Sequence, residues 1–314
     1  MKIFLKISAA LIPIFAVPAA FAGVPEDEIP DENFSEKSGK NVSADAESLI
    51  AARERETLVG ALRETLERRD AFFAEAENLP ENERSRRAED VAERFAALVA
   101  RFPNAVPALY FFAEFLRDGG ESERAEELLL KAEKIEPKFA PAQFLLAEIL
   151  AARGEAESAF PRFATAIYEE PGNAHRRGVF AEFLVASRER LLEKKCFETR
   201  AELDAKMQSE FLIASALEPK NFDALWRYAE SFYDAEAPDW SRALAAWERT
   251  ERRIPPERRA ALAPAVKLHR ARALAELGKF DAADALLRET AGVPALEHSR
   301  RKVFEILDAK RRAQ

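Results

Sequence analysis

Three prolines, Pro103, Pro137 and Pro171, stand 34 residues apart, and the residues between them fall into columns when the chain is aligned on them. Gly120 lies over Gly154, Ala125 over Ala159 and Ala132 over Ala166, while Leu129 meets Phe163 and Phe112-Ala113 meets Leu146-Ala147. A unit this short cannot bury an apolar face by itself, so neighbouring units must stack to make a continuous core. Each proline pushes the residue before it out of the helical region and so ends a helix. The glycines suit a turn between two helices, and the small alanines let paired helices approach to roughly 8–10 Å. Alanine, leucine, glutamate and arginine dominate the 314 residues, with 10 glycines against 17 prolines. Alternating β-branched runs and glycine-rich hairpin signals are nearly absent, so the fold class is all-α.

A helix–turn–helix unit of this period resembles the tetratricopeptide repeat (TPR) family. The resemblance implies a right-handed α-solenoid, a superhelix of hairpins with an inner groove lined by the first helix of each. About five repeats span 103–295. The third begins near Ala174, keeps Phe180-Ala181, and runs through a longer pair of helices to Ala214 and Pro219. The fourth carries Tyr228-Ala229, Ala243, Trp247 and Pro255, and the fifth carries Ala271, Gly278, Phe280, Ala283 and Leu287. Residues 296–314 read as a capping helix, which solenoids need at an exposed end. Ahead of the repeats, 44–102 read as a long N-terminal helix and a degenerate half-repeat. Leu58, Leu62, Leu66 and Phe73 make an apolar stripe on that helix. The segment Asn78–Asn82, with Pro80, breaks it, and a second helix follows from about Glu83 to Arg101.

The first 22 residues have the form of a secretory signal peptide. Lys2 and Lys6 supply positive charge, Ile7 to Val17 an apolar run, and Ala20-Phe21-Ala22 small residues for a cut before Gly23. Gly23, not a cysteine, stands directly after the cut, so a lipid anchor is not expected, and a periplasmic or secreted location is. Losing the two lysines takes the formal net charge from −8 to about −10. Residues 23–43 read as an acidic disordered linker carrying Pro25, Pro30 and Gly39. Cys196, the single cysteine, rules out an intramolecular disulfide.

No metal-ligand spacing, nucleophile elbow, phosphate loop or dinucleotide fingerprint occurs, so no catalytic residues, metal or cofactor are expected. The informative positions are those that the resemblance turns toward the groove. One of them holds Glu114, Glu148, Glu182 and Glu230, with Arg272 in the fifth repeat. A second holds Tyr110, Phe144 and Trp226, with Gly178 in the third repeat, and Tyr233 joins from another. Such a face either selects a basic, partly aromatic peptide or is a row of solvated acids paired with arginines such as Arg117. Members of the family that clamp acidic carboxyl termini use lysine, arginine and asparagine at these places, so an acidic C-terminal peptide is not expected here. Arg249, Arg252, Arg253, Arg258 and Arg259, and the basic residues of the last helix, are interspersed with acids, so a nucleic-acid partner is not expected. The expected function is therefore a non-catalytic scaffold of the bacterial cell envelope, holding a peptide or protein in its groove. The alternative is a structural homodimer formed through the N-terminal helix.

Overall fold

The computed structural model describes residues 41–313, so the expected signal peptide and residues 23–40 of the expected linker lie outside it. All regular structure among the described residues is helical. The chain divides by contact into two units, at Glu54 and Arg55. The described part of the first is the beginning of α1 (Asn41–Glu75), which starts three residues before the expected Ala44. The second unit holds the rest of the fold.

In this unit α2 (Glu81–Arg101) follows a short 3-10 turn at Ala76–Asn78 and Pro80. The hairpins then come in order: α3 (Val106–Asp118) with α4 (Ser122–Ile135), and α5 (Ala140–Ala152) with α6 (Ala156–Glu169). The third comprises α7 (Ala174–Ala186), a short α8 (Arg188–Glu193) and α9 (Arg200–Leu217). The fourth pairs α10 (Phe222–Asp234) with α11 (Trp240–Arg252), and the fifth pairs α12 (Arg259–Glu276) with α13 (Phe280–Glu289). Finally α14 (Glu297–Arg312) buries Val303 and Leu307 against Leu268, Leu274 and Leu287 and leaves its charged face outward.

The aligned columns acquire their physical meaning here. Gly120 and Gly154 sit at φ +85° and +78°, which a side chain resists. Each lets the chain close a C-terminal cap in which the next N–H donates back across the turn, Glu121 to the Leu116 carbonyl at 2.8 Å and Glu155 to that of Leu150 at 2.9 Å. Before each periodic proline the helix ends on Phe102, Glu136 or Glu170, whose N–H still reaches the last turn. Ala113, Ala125, Ala132, Ala147, Ala159 and Ala166 are all fully buried at the helix contacts. Replacing Ala125 with leucine should overpack this contact and lower stability by about 1–3 kcal/mol in urea unfolding. A neutral result would mean that α3 and α4 do not close on that column.

The pattern also extends one period toward the N-terminus. Val91, Phe95 and Leu98 of α2 occupy the columns of Ala125, Leu129 and Ala132, and all three are buried. The Phe95 ring stacks on Phe112 at 5.6 Å as Phe163 stacks on Phe180 at 5.7 Å. Thus α2 is a complete second helix in register, and the departure from the repeat lies in α1.

The apolar stripe of α1 is rotated from its expected position. Thr65, Arg69 and Phe72 are its buried residues, followed by Ala76 in the turn, and Leu62, Leu66 and Phe73 are only partly covered. An arginine turns inward because Glu114 and the Phe111 ring receive it there. The extra length of the third hairpin is α8 and the turn after it. Leu191 is fully buried, and Phe197 packs edge-on against Phe160 at 5.1 Å. Cys196 lies in this insert, where burial, with Glu157 adding a smaller effect, pushes its thiol above the usual range and keeps it protonated.

Candidate functional site

Stacking brings the first helices of successive hairpins side by side, and the expected groove residues meet along their seams. Between α1 and α3, Arg69 donates to Glu114 at 2.8 Å, and the Tyr110 hydroxyl donates to the other carboxylate oxygen at 2.8 Å. Burial first, and then the Glu114 charge, pushes the Tyr110 phenol far upward, so it stays a donor. Between α3 and α5, Arg117 donates to Glu148 at 3.1 Å. Desolvation nevertheless lifts the Glu148 carboxyl above its ordinary value, against the pull of Arg117. Glu182 of α7 receives a two-pronged bond from Arg227 of α10, at 2.5 and 2.9 Å, while that guanidinium lies 4.2 Å from the Phe211 ring centre. Three of the four glutamates are therefore cross-braces between neighbouring hairpins. Glu230, the fourth, makes no ion pair among the described residues.

The seam between α5 and α7 is different. Phe144 is buried, its edge against Phe163 at 5.3 Å, with Arg176 5.5 Å from its ring centre. It supports the face from below. Gly178 stands where three other hairpins carry an aromatic ring, and a Cβ placed there would meet nothing within 4 Å.

The aromatic residues gather most densely across α10, α11 and α12. Trp226 stands edge-on to the fully buried Trp247 at 5.2 Å, and Trp247 stacks on His269 at 4.1 Å with the rings 3° from parallel. The Tyr233 hydroxyl is 2.9 Å from His269 Nδ1 and donates to it when the imidazole carries its proton on Nε2. Burial pushes the Tyr233 phenol up to about 12. Trp240 lies beside Tyr233, and Arg272 covers both. Of this cluster, only Trp226 and Tyr233 were expected on the groove. A sequence signal for the rest existed, because all three tryptophans fall between 226 and 247. What joins them is His269, which is more than twenty residues further on and belongs to no motif.

Burial, followed by the Arg272 charge, depresses His269 to about 4, so it is neutral in the folded protein. The unfolded chain takes up a proton there near pH 6.5 and the folded one does not. Stability should therefore be fully present above pH 6.5 and fall as the pH drops toward 4. About 1–2 kcal/mol should be lost between pH 7.5 and 5, allowing for the partial exposure of the ring. Urea midpoints across this range should show the slope in the natural chain and a flatter one in His269→Phe; equal slopes would place the imidazole in water.

No group of three or more His, Cys, Asp or Glu among the described residues is placed to hold a metal ion. No described helix is long and apolar enough to cross a membrane.

No family model and no curated protein matches the sequence. Solved structures do match. The chain is similar to YrrB, a TPR protein with an unusual peptide-binding site, at 14% identity and a TM-score of 0.52, covering 68% of this chain and 99% of that one. It is also similar to MamA (14% identity, TM-score 0.43, 54% of this chain and 90% of that one). A third is PilW, a widely conserved type IV pilus biogenesis factor (12% identity, TM-score 0.45, 76% and 98%). The likeness to YrrB is one of fold: the chain is an all-α array of TPR-type hairpins.

Proposed function

We propose that this array is a non-catalytic protein–protein interaction scaffold of the bacterial cell envelope, holding a peptide or protein segment along the face formed by its first helices. The observation that carries this reading is the continuity of that face. Contacts at successive seams, from Arg69–Glu114 to Tyr233–His269, align charged and aromatic side chains into one surface. A surface assembled from separate hairpins suits an extended partner, which can touch several repeats at once. YrrB, of the same fold, has a peptide-binding site, which supports the reading. The envelope location rests on the signal-like N-terminal sequence and is checked by fractionating cells that express the full chain.

Gly178 offers a direct test. Because a Cβ there meets nothing within 4 Å, a photo-crosslinking amino acid can be attached at this position without a clash at its first atom. The control is Lys131 on α4, which is exposed on a second helix. Crosslinked partner should form from position 178 and not from 131. Equal yields from the two positions would remove the inner face from the function.

A second reading, self-association through the first helix, has less surface to use than its apolar stripe suggests. Leu62, Leu66, Phe72 and Phe73 pack into the core with α2 and α3, and Phe72 and Phe73 both touch Phe115. Light scattering on the mature chain separates the readings: a monomer excludes the homodimer.

A further inference from the structure

We propose that Arg272, framed by the rings of Tyr233 and Trp240, anchors an acidic side chain of the segment held on the inner face. This rests on the scaffold reading above and names the partner's chemistry at one point.

Other arginines on or beside that face are already engaged. Arg69, Arg117 and Arg227 brace Glu114, Glu148 and Glu182, Arg176 pairs with Glu170, and Arg270 pairs with Glu251. Arg272 makes no ion pair and no hydrogen bond among the described residues. Its guanidinium carbon lies 4.9 Å from the Tyr233 ring centre and 5.4 Å from that of Trp240. Its Nε is buried without an acceptor, whereas the two terminal nitrogens, equally unbonded, are not buried. The cation is thus partly stripped of water, fixed in orientation by two rings, and open at the end that can make two parallel bonds to a carboxylate. Such a planar fork is the side chain best suited to carboxylate recognition, and ring stacking holds it ready.

The neighbouring hairpin indicates what flanks that carboxylate. Glu230 occupies the same repeat position on α10 as Arg272 does on α12, and it too has no ion pair among the described residues. Adjacent helices lie about 8–10 Å apart, which an extended peptide crosses in roughly three residues. The complementary segment therefore carries an acidic side chain on Arg272 and a basic one toward Glu230, about two to four residues away. A chain-terminal carboxylate is a poorer fit, because the groove positions around Arg272 hold Trp226, Tyr233 and Glu230 and supply no second cation.

The test is selection of a random-peptide phage library on the mature chain, with the selected peptides remade with acetyl and amide ends. The result expected is a recurring Asp or Glu whose change to the amide weakens binding about tenfold or more, with Arg272→Gln causing a similar loss and the two losses not adding. Arg272→Glu should restore binding to a peptide whose acid has become lysine. Arg272→Lys, which keeps the charge but not the fork, should lie between, and urea midpoints identify any variant that is merely unfolded. Peptides that bind without an acidic residue, or equally well to Arg272→Gln, would overturn the anchor and leave the scaffold standing. Binding that needs a free carboxyl terminus would overturn it too. A library that yields no binder would overturn the scaffold reading and the anchor together.

Discussion

Glu210→Ala should destabilise the protein by about 3–5 kcal/mol, because it leaves a buried arginine without its counter-charge. Glu210 on α9 is 2% exposed, and Arg177 on α7 is 8% exposed. Arg177 donates to one carboxylate oxygen at 2.5 Å and Lys206 to the other at 2.7 Å, so a single acid holds two cations together. Without it, the two positive charges face each other across the third hairpin, one of them cut off from water. The preceding repeat shows the same position filled by an amide, which donates to a carboxylate, Glu133, at 3.1 Å. Gln143, 34 residues before Arg177, donates to the Pro137 carbonyl at 2.9 Å, as Arg177 does to that of Pro171 at 2.8 Å. Arg177→Gln should therefore cost less than Glu210→Ala, since the amide keeps the proline contact and Lys206 still neutralises Glu210. The double change Arg177→Met with Glu210→Leu should recover most of the loss, because a buried ion pair replaced by apolar side chains of similar volume is often neutral. Urea midpoints rank the three. A Glu210→Ala loss below about 1 kcal/mol would mean that the pair is solvated and the ranking collapses.

The same hairpin shows what one sequence can and cannot reveal. The periodic prolines, the turn glycines at 120 and 154 and the buried alanines were legible because each acts locally, on its own backbone or on the next helix. The helical fold and the hairpin order follow from them. Apart from Arg117, named from the sequence as a partner of the row, the partners of charged side chains were not legible. Glu114 finds Arg69 45 residues away, Glu148 finds Arg117 31 residues away, and Glu182 finds Arg227 45 residues away. Helical periodicity places a glutamate on a face but does not say which neighbouring hairpin presents a cation to it. The rotation of α1 has the same cause. A hydrophobic stripe chosen from apolar residues alone overlooks an arginine whose burial is made tolerable by an acid from another helix. Phe144 could be placed on the right helix, but not on its packed side, because its repeat position is aromatic in three hairpins and only the stacking decides which rings are covered.

Trp247 is where the last hairpin is joined to the rest, and Trp247→Ala should cost about 3–5 kcal/mol. The side chain is fully buried on α11. It touches Trp226 and Tyr233 of α10 on one side and stacks on His269 of α12 on the other. Beyond it the core changes: Leu268, Leu274, Leu287, Val303 and Leu307 belong to a separate apolar cluster built by α12, α13 and α14. In a repeat array each unit is stabilised by its own packing and by its two interfaces, so loss of one interface need not unfold the whole. The variant should therefore unfold in two steps, α12–α14 first, where the natural chain should unfold in one. His269 supplies an independent readout, because removing the indole that covers it admits water and should raise its pKa from about 4 toward 6.5. Trp247→Phe, which keeps a ring against the imidazole, should retain the single transition and most of the depressed pKa. Imidazole NMR titration with urea unfolding of both variants decides the matter. A single transition in Trp247→Ala, with His269 still titrating near 4, would show that the aromatic cluster is not what couples the last hairpin to the array.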